Sequence, residues 1–192
     1  MKIYFVRHGQ TNLNKDRLIQ GRLDEPLNKT GIKQAKETGQ LLKSLNIDFK
    51  RIVSSPLSRA LETAHYSAKK LNYKEEIIIL PKYIERDFGN WEYKTINDSF
   101  DIIMADGFQE EGFEDNEQLI PRIKLGTDEL YQDFKDETVI AFVHAHVIRS
   151  VYILADPNKY TYTNFFLGNA SIHVFEYDGN NFKLLETHNN EE

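Results

Sequence analysis

Ile3-Tyr4-Phe5-Val6-Arg7-His8-Gly9-Gln10-Thr11 is the stretch on which the rest of the chain turns. Ile3 to Val6 run apolar without a break, and polar residues follow abruptly. A strand buried on both faces has this pattern, whereas a half-exposed strand alternates. Arg7 and His8 then fall where that strand ends. A neutral imidazole held in place is a competent nucleophile toward phosphorus. The guanidinium beside it offers a planar fork of donors to phosphate oxygens, and Gly9 lets backbone approach a ligand closely. A plainer reading stands next to this one: His8 merely finishes a strand, since short motifs match by chance.

Working outward, the chain alternates short apolar runs with amphipathic ones. Lys29 to Leu45 carries Ile32, Ala35, Leu42 and Leu45 at near-helical spacing, with Asn28 in the N-cap position. Arg51-Ile52-Val53 predicts a second strand, ending in Ser54-Ser55-Pro56, and Leu57 to Leu71 a helix with Leu57, Ala60, Leu61, Ala64 and Ala68 on one face. Ile77 to Leu80 predicts a third strand and Val139 to Val143 a fourth, followed by a helix through Val147, Ile148, Val151 and Leu154. Ile172 to Phe175, the turn Asp178-Gly179-Asn180-Asn181 and Phe182 to Leu185 form a predicted hairpin. Alternating strands and helices imply a mostly parallel sheet covered on both faces. Ligands in such sheets bind beyond the carboxyl ends of the strands. Arg7 and His8, Ser54 and Ser55, and His144 all fall at that end.

The 192 residues fit one domain, 1–192, and an apolar fraction of 40% is enough for a core. A net charge of −6 argues against a nucleic-acid partner, which asks for a basic stripe. With no cysteine there is no disulfide framework, thiolate nucleophile or cysteine-held metal. No run reaches the roughly 20 apolar residues of a membrane span, and a cytoplasmic location is the default expectation. Between about 93 and 121 the periodicity fails. Phe100, Ile102, Ile103, Met104, Phe108 and Phe113 mix with many acids, and the stretch reads as a lid-like excursion. A helix then runs to about Phe134, with Pro121 placed awkwardly for its start.

Five blocks resemble the histidine phosphatase superfamily, the phosphoglycerate mutase-like group. The first is the opening strand with Arg7-His8-Gly9-Gln10-Thr11 and Asn14, continuing through Gln20, Gly21, Asp24, Leu27 and Gly31. Ser54-Ser55-Pro56-Leu57-Ser58-Arg59-Ala60 with Thr63-Ala64 is the second, and Glu85 with Phe88-Gly89 and Trp91-Glu92 the third. His144 with Val147-Ile148-Arg149 is the fourth, and Asn169-Ala170-Ser171-Ile172 resembles the start of the last strands. The resemblance spans almost the whole chain. It implies a three-layer α/β/α sandwich on a mixed, mostly parallel sheet.

It also implies a metal-independent phosphomonoesterase acting on a small-molecule substrate through a phosphohistidine intermediate, with no cofactor. By that resemblance His8 is the nucleophile. Arg7, Arg59 and His144 hold the phosphoryl oxygens, Asn14 adds a neutral donor, and Glu85 exchanges protons with the leaving alcohol and the attacking water. That last role suits a carboxylate whose pKa is raised toward neutrality. Gln20 and Gly21 border the phosphate, and Ala145 offers a backbone N–H to it.

Each residue also has a structural reading: Arg59 as a surface charge on a helix, Asn14 as a turn former or cap, Glu85 as half of a surface pair with Arg86, Ser55 as a turn hydroxyl, and Gln20 and Gly21 as loop shapers. Two positions depart from the family pattern. Val143-His144-Ala145 stands where Ser-His-Gly is usual, and His146 where glycine is common. His144 and His146, if on a strand, face one side, which raises a metal site as an alternative, although further ligands would be needed. His146 has a second reading, as a substrate contact or entrance residue.

Two other functions stay open beside hydrolysis. One is mutase-type transfer, which asks for cations near the lid. The other is a phospho-ligand-binding or regulatory protein. From Lys94 to Pro121 the only base is Lys94, while Asp98, Asp101, Asp106, Glu110, Glu111, Glu114, Asp115 and Glu117 are acids. Such a lid repels a strongly anionic substrate unless its acids point outward. A neutral or apolar organic group is therefore expected, with Trp91, Phe100, Met104, Phe108 and Phe113 as its candidate contacts or as plain lid packing.

Overall fold

The computed structural model describes residues 1–97 and 99–189. Strand β1 (Lys2–Arg7) leads into a four-residue helix α1 (Asn12–Lys15) and then α2 (Lys29–Ser44). β2 (Arg51–Ser54), α3 (Ser58–Leu71) and the two-residue β3 (Ile78–Ile79) follow, then α4 (Ser99–Met104) and α5 (Asn116–Phe134). β4 (Thr138–Val143), α6 (Ala145–Ala155), β5 (Ile172–Tyr177) and β6 (Phe182–His188) complete the order. The six strands form one sheet in the order β3-β2-β4-β1-β5-β6. β1, β2, β3 and β4 pair in parallel, while β5 and β6 run antiparallel. This is the mixed, mostly parallel sheet expected.

Alternation along β1 sets the layers. Tyr4 and Val6 join Leu42, Ala64 and Ala68 on the face covered by α2 and α3. Ile3 and Phe5 join Leu119, Ile123, Val147 and Val151 on the face covered by α5 and α6. Ile3, Phe5 and Val6 are fully buried, and each such side chain contributes about 1.5–3 kcal/mol by leaving water. Asn28 caps α2 as expected, its Oδ1 accepting from Gly31 N at 2.9 Å.

The third strand is shorter than its apolar run, because Pro81 opens a turn of 3₁₀ helix directly behind it. Within the stretch at 93–121 the structure shows the short helix α4, and α5 is already under way at Asn116. Asp115 and Gln118 cap α5 reciprocally, which anchors its start ahead of Pro121. Among the described residues no helix is long and apolar enough to cross a membrane.

Candidate active site

Arg7 and His8 emerge from β1 locked between its two neighbours. His8 N donates to Val143 O, Arg7 N to Ser171 O, and Ala170 N to His8 O, at 3.0, 3.0 and 3.1 Å. The next turn is held by close backbone approach. Gly9 N donates to Thr63 Oγ1 at 3.1 Å, and a Cβ on Gly9 would stand 2.5 Å from Gly31 O. No side chain fits there. The loop therefore fixes His8 from both ends.

His8 is 2% exposed. Its Nδ1 lies 2.7 Å from Gly9 O. A carbonyl only accepts, so Nδ1 carries the proton and Nε2 keeps its lone pair. Burial, and then the neighbouring Arg59, His144 and Arg7, hold the imidazole well below its ordinary pKa and so neutral. His144 lies behind it, the two ring centroids 5.2 Å apart.

Arg59 is not a surface charge. It is fully buried, and its guanidinium donates to Leu23 O and Gly21 O at 2.7 Å each, leaving Nε buried without a partner. Arg7 donates to Leu167 O and likewise leaves a buried Nε without a partner. Burial lowers both guanidinium pKa values to about 10, which still leaves them charged at neutral pH.

His144 bonds Ser55 Oγ through Nε2 at 2.6 Å, and the same Oγ accepts from Leu57 N at 3.3 Å. Ser55 is thus the turn hydroxyl expected, and more. Of the two groups that meet this buried Oγ, Leu57 N can only donate, so His144 Nε2 is the acceptor to which the Ser55 O–H points. That leaves Nδ1 as the N–H, buried and without a partner. Burial and Arg59 keep His144 neutral, well below its ordinary pKa. Three donors (Arg7 Nε, Arg59 Nε and His144 Nδ1) from three elements thus await an acceptor.

The cleft above them is lined by Arg7, His8, Asn14, Gln20, Gly21, Arg59, Glu85 and Ala145. Of the residues read from the sequence, His144 alone stands behind this surface. Asn14 Oδ1 accepts from Thr11 N and Asn169 Nδ2. Gln20 Oε1 accepts from Thr11 Oγ1 at 2.8 Å. Gly21 has φ +54°, and a Cβ there would meet Glu92 Oε1 at 2.0 Å. Ala145 lies outside the left-handed region, so its Cβ brings no strain where glycine is usual.

Glu85 is 5% exposed and is no surface partner of Arg86. Its Oε1 accepts from Arg86 N at 2.8 Å and its Oε2 from His146 N at 3.3 Å. Burial pushes this carboxyl up. His146, His144 and the Arg86 N–H pull it down, and the pull wins, leaving it well below the ordinary carboxylate range. Burial brings His146 itself down to about 4. With that imidazole neutral, the hydrogen bonds and the fields of Arg59, Arg86, Arg149 and Arg7 keep Glu85 ionised. The direction is opposite to the raised pKa that the sequence reading asked for.

The His144–His146 alternative raised by the sequence does not fit the fold. His144 and His146 do not share a strand face, because His144 is the N-cap of α6 and His146 lies in its first turn. Their rings serve different partners, Ser55 and Glu85. Among the described residues no group of three or more His, Cys, Asp or Glu is placed to hold a metal ion.

Among the described residues no lid acid lines the cleft. Glu114 pairs with Arg22 and Arg122, Asp106 accepts from Asn116, and Glu110 accepts from Trp91 Nε1. Asp98 lies outside the described residues. Of the aromatics named, only Phe100 reaches the cleft, joined by Phe88, Leu18, Ile19 and Ile96. Met104 and Phe113 are buried in the core, and Trp91 packs on Phe108. Ser55, Thr63 and Asn169 are the positioning residues that sequence reasoning missed. Each acts on a partner far along the chain.

Residues 3–190 match the histidine phosphatase superfamily, branch 1. The chain belongs to this superfamily. An uncharacterized phosphatase, PhoE of Bacillus subtilis, is 31% identical over 149 residues, covering 78% of this chain and 74% of that protein. Two solved members of this fold superpose closely. A phosphoserine phosphatase variant from Entamoeba histolytica, in complex with phosphoserine, has a TM-score of 0.83 at 26% identity and covers 99% of this chain and 98% of its own. A phosphoglycerate mutase from Bacillus anthracis gives the same TM-score and identity over 96% of this chain and 91% of its own. The superfamily thus brings phosphatases and mutases alike to the comparison.

Proposed function

We propose that this chain is a phosphomonoester hydrolase that works through a phosphohistidine on His8. The observation that carries the reading is one cleft lined by a neutral imidazole, its Nδ1 spent on Gly9 O, and by Arg7 and Arg59 with unpartnered Nε atoms, with the His144 ring 5.2 Å from that of His8. His8 Nε2 attacks phosphorus, and the bond to the ester oxygen breaks as the N–P bond forms. Arg7, Arg59 and His144 Nδ1–H stabilise the charge spread over the equatorial oxygens. Asn14, Gln20 and the Ala145 N–H at the start of α6 add neutral donors, and Gly21 leaves room beside them.

Glu85 protonates the departing alcohol. It begins ionised, but a phosphoryl dianion placed beside it adds negative charge and raises its pKa, so substrate draws a proton onto it. In the second half Glu85 takes a proton from water as that water attacks phosphorus and the N–P bond breaks. The sum is monoester plus water giving alcohol plus phosphate.

The organic part meets Leu18, Ile19, Phe88, Ile96 and Phe100, which suits a neutral alcohol with an apolar body. Mutase-type transfer asks for cations to hold a second anionic group, and among the described residues the cleft is lined by no base beyond Arg7, Arg59 and the histidines. Phosphate release from p-nitrophenyl phosphate by wild type and His8→Ala, with and without a chelator, tests the reading. Chelator-resistant turnover that the substitution abolishes is expected. Turnover that survives the substitution overturns it.

A further inference from the structure

His146 is absent from the chemistry above, yet it is built into the same pocket. Its backbone N–H donates to Glu85 Oε2 at 3.3 Å, and its ring Nδ1 stands 3.6 Å from the same oxygen. The ring has little freedom. It stacks on Tyr162 at 5.6 Å and 23°, and meets the edges of Phe88 and Phe100 at 5.1 and 6.0 Å. Tyr162 is itself tied to Ser150 Oγ at 2.7 Å, and that Oγ also contacts His146 O at 2.8 Å. Nε2 is buried without a partner.

The tautomer follows from these contacts. A proton on Nε2 would bury an unsatisfied donor and set a ring lone pair against a carboxylate lone pair. A proton on Nδ1 turns that repulsion into attraction, and the orphaned atom becomes an acceptor, which is the less costly of the two.

We propose that His146 is a positioning residue for Glu85, its Nδ1–H and backbone N–H together aiming the carboxyl at the ester oxygen. Arg86 N–H holds the other carboxylate oxygen. Two backbone N–H groups therefore hold the carboxylate, one on each oxygen, and the Nδ1–H, 3.6 Å away in its aromatic clamp, adds an electrostatic pull on Oε2. This rests on the hydrolase reading, in which Glu85 is the acid.

The test uses leaving groups. Loss of the acid matters for an alkyl phosphate, whose alcohol is a poor leaving group, and little for p-nitrophenyl phosphate, whose phenolate departs unaided. The quantity read is kcat/KM, which ends at phosphoryl transfer to His8. His146→Phe keeps the ring and removes both nitrogens. His146→Asn restores an N–H near the Nδ1 position.

With glycerol 2-phosphate, His146→Phe is expected to lose at least ten times more kcat/KM than with p-nitrophenyl phosphate, and His146→Asn to recover most of the difference. An equal loss on both substrates means a packing role and overturns the proposal. Glu85→Gln, run alongside, separates the two levels: if it too treats both substrates alike, the acid role of Glu85 fails first. Nitrogen-15 NMR of the wild-type protein at neutral pH reads the ring without any variant. A protonated Nδ1 and bare Nε2 are expected, and the reverse tautomer overturns the proposal.

Discussion

Replacing Ser55 by alanine isolates the link between a buried hydroxyl and the donor set. Ser55 is fully buried, and its Oγ serves two groups, Leu57 N and His144 Nε2. Alanine leaves both unserved. One buried unsatisfied group costs about 1–3 kcal/mol, and the imidazole can recover part of its own share by moving its proton to Nε2. Stability is therefore expected to fall by about 1–3 kcal/mol in urea unfolding. That proton shift has a chemical consequence, because it strips Nδ1 of the hydrogen that the proposed mechanism assigns to the phosphoryl group. A hydrogen bond to a charged group is worth about 1.5–3 kcal/mol, which at roughly 1.4 kcal/mol per tenfold lowers kcat/KM by about 10- to 150-fold. The assay is phosphate release from p-nitrophenyl phosphate at a temperature where the variant remains folded. Catalytic efficiency within twofold of wild type in that folded protein refutes the argument, since His144 would then keep its tautomer without Ser55.

Arg59→Lys retains charge but cannot reach Gly21 O, Leu23 O and a phosphoryl oxygen at once, so kcat/KM should drop by at least about 100-fold; a smaller loss in the same phosphate-release assay speaks against the fork geometry. Gly21→Ala forces a Cβ onto a φ of +54° and into Glu92; thermal unfolding should show a loss of about 1–2 kcal/mol from the backbone alone, and an unchanged midpoint contradicts it. Acid should destabilise the fold in a defined window. His146 titrates at about 4 when folded against 6.5 when unfolded, and His8, His144 and His173 are likewise lowered. Below 6.5 the unfolded chain binds more protons, so stability is complete above that pH and lost as pH falls toward the folded values, by up to about 1.4 kcal/mol per pH unit for each histidine. Urea midpoints at pH 7.5, 6.0 and 5.0 should fall in that order, and a flat series contradicts the buried neutral histidines.

The elements that could be read from sequence were those whose own residues carry the pattern. Val139 to Val143 announces a strand buried on both sides, and Asn28 with Gly31 three residues on marks the start of α2. The residues of the cleft could be picked out because the blocks that carry His8, Arg59 and Glu85 resemble the superfamily in order along the chain. Their environments could not. Arg59 looks like any helical arginine until Leu23 and Gly21 arrive from 36 and 38 residues away to accept its protons. Ser55 and His144 are 89 residues apart. A shared strand face for His144 and His146 stayed open as an alternative because the sequence pattern does not fix on which residue the helix begins, and it begins at Ala145. Direction of charge failed for the same reason. The acids of the lid could be counted, but which way they point depends on Arg22 and Arg122.

β1 lies in the interior of the sheet, between β4 and β5, where Lys2 pairs with both Thr138 and Glu176. On a ribosome this strand emerges long before either neighbour. Until Asn169 reaches back across 161 residues to the His8 carbonyl, the nascent chain holds His8 by only part of its contacts. Contacts so distant in sequence slow folding, and an early apolar strand with both edges open is a target for holding chaperones or for mispairing. The same wiring makes catalysis a late and all-or-none acquisition. A chain shortened before β5 would lose one wall of its central strand and the site together, so activity in this architecture reports completion of the last antiparallel hairpin.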